Sequence, residues 1–120
     1  MQASIQLANA LSNQWVINVT DATSGQSVPI TVYYDSSRLS AEWIVEKPEV
    51  NNQIADLANF QNVTFTDCVA TLGATTGAIN SFSFEELVIY SSSTPSIQLT
   101  NVSDLSPDGE TFTVSYLASG

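Results

Sequence analysis

At 120 residues the chain is long enough for one compact domain and too short for two. Twelve carboxylates stand against two basic side chains, Arg38 and Lys47, for a net charge of −10, and there is no histidine. That balance argues against a nucleic-acid partner and against attraction to an anionic membrane, since both need clustered Lys and Arg. It also removes His-based triads, His metal sites and histidine pH switches, while the single Cys68 removes an internal disulfide framework and any Cys-only zinc site. The reading carries no cofactor and no metal.

Met1 is followed by no basic stretch and no apolar run of signal-peptide or membrane-span length. At very low pH the carboxylates are neutral, and about three positive charges remain, on Arg38, Lys47 and the amino terminus. Cationic self-repulsion, one driver of acid unfolding, is therefore small. The composition suits an acidic medium and equally a generic acidic, secreted β-protein. A secreted location, with the leader outside these residues, is the expectation.

In chain order, the side-chain period is two. Ile5 and Leu7 alternate with Ser4 and Gln6; after the polar break at 12–14, Trp15, Ile17 and Val19 alternate with Val16, Asn18 and Thr20. Asp21 to Ser27 has Asx, Ser and Gly turn chemistry, and Val28, Ile30, Val32 and Tyr34 then resume the alternation, which predicts a hairpin with a long loop. Strands are predicted at 41–46, 63–66, 69–72, 86–90, 97–100 and 111–117, with Gly73, Gly77, Pro95 and the 107–109 turn as punctuation. The stretch 54–60 has room for one helical turn. The prediction is an all-β antiparallel sandwich occupying residues 1–120 as a single domain. Sequons at Asn18, Asn62 and Asn101 occur at a rate a Ser/Thr/Asn-rich chain reaches by chance.

The chemically informative segment is Ala41-Glu42-Trp43-Ile44-Val45-Glu46, followed by Lys47-Pro48. As a strand it shows Ala41, Trp43 and Val45 on one face and Glu42, Ile44 and Glu46 on the other. The two acids are then roughly 13 Å apart, too far to work as a direct pair. On these residues alone, an exposed sheet face carrying acids for solubility is the simpler account. Glu46, nearer the strand end, is the better placed of the two for a cleft.

This hexapeptide before a proline, followed by Val63-Thr-Phe-Thr-Asp-Cys68, resembles the C-terminal half of the glutamic peptidases, also called eqolisins or peptidase A4. The order strand, polar loop ending in Gly25-Gln26, strand, motif fits as well. The resemblance implies an acid-acting endopeptidase on a sandwich of concanavalin-like or jelly-roll type. In such enzymes the second Glu of the motif, here Glu46, is general base towards a water and then proton donor to the leaving amine. A glutamine of the N-terminal half polarises the scissile carbonyl.

That half, with its tryptophan-rich strands, has no counterpart in this chain, and no W-V-G-I-D-G-like segment occurs. Gln53, Gln26 and Gln98 match no glutamine motif. The expectations are therefore a chain inactive alone, an incomplete sandwich completed by association, and as partner either a second copy or the missing N-terminal half, with a polypeptide substrate once complete. The cysteine that relatives often pair has no mate here and reads as a small buried residue. Asp104, Asp108 and Glu110 read as turn chemistry. The competing class is a non-enzymatic sandwich module for carbohydrate or adhesion: a Glu46 in a cleft, shielded from bulk water and facing a neighbouring strand, signals the peptidase, and a flat, solvated Glu46 beside an exposed aromatic row signals the module.

Overall fold

The early alternation becomes a three-stranded antiparallel sheet of β1 (Gln2–Asn9), β2 (Gln14–Thr20) and β3 (Ser27–Tyr33), in that order. The structure is a computed structural model describing residues 1–120, which divide into two units, residues 1–38 and 39–120. In the first unit Ile5 pairs with Ile17 and Ile17 with Ile30, so the apolar residues of all three strands share one face. Two turns set that register. Asn9 Oδ1 accepts the Leu11 and Ser12 amides at 2.9 and 3.3 Å, and Asn13 takes a φ of 51°, a left-handed conformation that asparagine tolerates. The second turn is closed by Asp21 N to Gln26 O and Gly25 N to Asp21 O, both 2.8 Å, with Gly25 at a φ of 71°.

The second unit is built around β10 (Phe112–Tyr116), which lies between β6 (Asn62–Phe65) and β9 (Thr100–Val102). Alternation sorts this sheet cleanly: Val63, Phe65 and Val114 turn away from water, while Asn62, Thr64 and Asn101 face it. Phe65 stacks on Phe112 with centroids 5.0 Å apart, and Phe60 meets Tyr116 edge-on at 6.0 Å. The buried apolar side chains, Leu57, Cys68, Ala78, Leu99 and Val114, all belong to this unit. Two short hairpins complete it: β4 (Glu49–Val50) with β5 (Gln53–Ile54), and β7 (Val69–Leu72) with β8 (Thr75–Ala78). A single 3₁₀ turn, η1 (Ile79–Ser81), follows β8.

The chain is thus all-β and antiparallel throughout, with sheets that stay open instead of closing into a barrel, the class of the β-sandwich. Several predicted elements differ. Residues 41–48 form no ladder, because alternation alone does not make a strand without a neighbouring backbone to pair with. Residues 86–90 also form no ladder, apart from the isolated bridge Tyr90 to Gln98. There the buried Thr100 hydroxyl accepts the Ile89 amide at 2.9 Å, taking the place of a carbonyl. The predicted strand at 97–100 starts later, at Thr100, and the helical turn at 54–60 does not form. The β4–β5 hairpin turns at Asn51 and Asn52, whose φ values of 53° and 60° are those of a two-residue primed turn.

Candidate active site

Glu46 sits in the unpaired segment between Leu39, where the second unit begins, and β4. The segment keeps its alternation: Trp43, Val45 and Lys47 are half-buried, and Glu42, Ile44 and Glu46 are exposed. The half-buried side chains anchor it, and the opposite row holds the two acids in water. Its far end is tied down. The Lys47 ammonium donates to the Gly120 carbonyl, and the Pro48 carbonyl accepts the Ala55 amide at 2.9 Å.

The second unit holds three glutamines, Gln53, Gln61 and Gln98, of which Gln61 is exposed with a φ of 60°. Gln98 is half-buried and its side-chain amide donates to the Thr100 carbonyl at 2.7 Å, so its donor is engaged. Gln53 is exposed on β5, where it pairs with Val50. Gln26 belongs to the other unit, at the end of the Asp21 turn. Cys68 is fully buried and unpaired; burial pushes its thiol pKa up, and the carboxylates of Asp67 and Glu110 add to the shift. It is a packing residue of the core.

The 106–111 turn is self-contained. Asp108 Oδ1 accepts the Ser106 hydroxyl at 2.5 Å and the Glu110 amide at 3.1 Å, while Ser106 Oγ accepts the Thr111 amide at 2.9 Å. The Ser106 hydroxyl, and secondarily the Glu110 amide, hold the Asp108 carboxyl below its ordinary range. Ser24 and then Thr23 do the same for Asp21. Both acids are spent on shaping turns. What sequence reading missed near the site is the β4–β5 hairpin directly after Pro48, whose signal was the Asn-Asn pair.

Comparison with known proteins gives the family. The model of the Peptidase A4 family matches residues 1–116. The chain belongs to that family. Aspergillopepsin-2 of Aspergillus niger is 42% identical over 62 residues, which are 48% of this chain and 22% of that protein. The crystal structure of aspergilloglutamic peptidase from Aspergillus niger superposes with a TM-score of 0.77 at 28% identity, over 97% of this chain and 65% of that one. This peptidase A4 chain therefore spans less than two thirds of the length of either relative. No helix in it is long and apolar enough to cross a membrane.

Proposed function

We propose that residues 1–120 carry the carboxyl half of a glutamic endopeptidase site, with Glu46 as its proton shuttle, and that the amide completing the site lies on polypeptide outside these residues. In this reading the Glu46 carboxylate takes a proton from a water molecule as that water attacks the scissile carbonyl. The carboxylic acid so formed gives the proton to the departing amine. A glutamine side chain stabilises the tetrahedral oxyanion as a neutral donor that does not titrate in acid. The protein works outside the cell in an acid medium, on polypeptide substrates.

What supports the reading is membership of the peptidase A4 family together with the Ala41–Glu46 motif, whose second Glu is Glu46; the exposure of Glu46 to water does not support it, being the state that a non-enzymatic module would also show. The engagement of the Gln98 amide with the Thr100 carbonyl supports an amide supplied from elsewhere. Expected from the isolated chain on denatured protein substrates, between about pH 2 and 5, is no turnover above buffer. Turnover that Glu46→Gln abolishes would show that residues 1–120 are sufficient and overturn the outside amide. Turnover that Glu46→Gln leaves intact would remove Glu46 from the mechanism.

A further inference from the structure

Placement in the fold separates the three sequons, at Asn18, Asn62 and Asn101, which composition alone does not. Asn62 lies on β6 and Asn101 on β9, the outer strands of the β6–β10–β9 sheet, and both pair with Ser115 of β10. The two asparagines therefore stand in one row of one face, about 9.6 Å apart, with a small serine between them. In a strand the first and third residues of a sequon share a face and the middle one turns the other way. Asn62 and Thr64 are exposed and Val63 is half-buried; Asn101 and Ser103 are exposed and Val102 is half-buried. Asn18 differs: it is half-buried, its Oδ1 accepts the Ser27 hydroxyl at 2.7 Å, and its Nδ2 donates to Thr20 Oγ1 at 3.5 Å.

This face needs no cover from polypeptide outside residues 1–120. Its reverse side belongs to the core of the second unit, where Val114, 5% exposed, pairs with Val63 on one side and Val102 on the other. The outward side carries Asn62, Thr64, Thr113, Ser115 and Asn101, and β6, β9 and β10 have no charged side chain. Completing a sandwich buries apolar faces, and burying a row of amides and hydroxyls without partners costs free energy.

We infer that Asn62 and Asn101 are N-glycosylation sites, which accept an oligosaccharide from a lipid-diphosphate donor in a eukaryotic secretory pathway. In the transfer the side-chain amide nitrogen bonds to the anomeric carbon of the first sugar. The bond from that carbon to the diphosphate breaks, the lipid diphosphate leaves with the electron pair, and the nitrogen gives up one proton. The hydroxyl two residues on, Thr64 or Ser103, completes the acceptor motif. Both β6 and β9 pair only with β10, so neither asparagine enters a ladder until residues 112–116 have been made, and the transferase meets both as open chain. The sugar also supplies what the composition lacks in acid. There the carboxylates are neutral, and an uncharged glycan keeps a charge-free face hydrated without titrating. The inference rests on the extracellular location proposed above and not on the role of Glu46.

Production of residues 1–120 behind a supplied leader in a eukaryotic host tests it, because acceptor use is then read apart from the native location and from peptidase activity. Peptide N-glycosidase converts a glycosylated asparagine to aspartate, and peptide mass mapping of the chain recovered from cells and medium reads that change position by position. Conversion is expected at 62 and at 101. In gel mobility Asn62→Gln and Asn101→Gln should each remove one glycan, and the double variant two, whatever happens at Asn18. Far-UV circular dichroism of the secreted chain, before and after removal of the sugars, should show the same sheet signal. A position that stays asparagine, or a double variant that loses fewer than two glycans, would overturn the inference and leave the reading of Glu46 standing. A sheet signal lost when the sugars are attached would overturn the outward placement of the row.

Discussion

Single residues in this chain are settled by hydrogen bonds and steric room that can be tested one at a time. Gly109 adopts a φ of 77°, and a Cβ built there would run into the Asn80 side chain. Gly109→Ala combines a left-handed backbone with an overlap, so a loss of about 1–3 kcal/mol is expected in urea unfolding. Asp108 titrates below its ordinary 3.8 because the Ser106 hydroxyl and the Glu110 amide stabilise its charge. A depressed folded-state pKa means that its stabilising contribution is complete above the unfolded value and lost as pH falls through the folded one. The stability gap between wild type and Asp108→Asn should be constant from neutral pH down to about 5 and close below 3.8. A gap that persisted unchanged at the acid end would place the effect in packing, away from the carboxylate.

At the scale of elements, the strand with partners on both sides should outlast the strand with one. β10 lies between β6 and β9 and contains Val114 at 5% exposure, whereas β1 is an exposed edge. Hydrogen exchange is expected to be slowest at the β10 amides and fast in β1. Leu99, fully buried, donates its amide to Ile89 O at 2.7 Å and accepts from Leu117 N at 2.9 Å, so it ties the 86–90 segment, which forms no ladder, to the residue that follows β10. Leu99→Ala should cost about 2–5 kcal/mol, read from chemical denaturation.

The same scale explains what could be read in advance. β1 to β3 were legible because hairpins are local and their turns carry Asn, Asp and Gly. The segments at 41–46 and 86–90 alternate just as clearly, yet pairing is a property of the neighbour, which no period reveals. The Asn51-Asn52 turn had a local signal that went unread. The hexapeptide holding Glu46 was legible through its family motif, and the half-buried and exposed alternation of its side chains was legible from the period of two. The segment's anchorage through Lys47 and Gly120 was not, because it joins residues far apart in sequence.

Over the whole molecule, the buried apolar side chains sit in residues 39–120, and the first unit shows its apolar face to water. Residues 1–120 span 65% of the solved relative. The account turns on Glu46 working with an amide from outside residues 1–120. The most direct measurement fuses the part of aspergilloglutamic peptidase that this chain does not span to residues 1–120 and follows acid proteolysis with and without Glu46→Gln. Turnover absent from the isolated chain, present in the fusion and reduced at least about a thousandfold by Glu46→Gln is the predicted result. Fusion turnover that survives Glu46→Gln unchanged would contradict it.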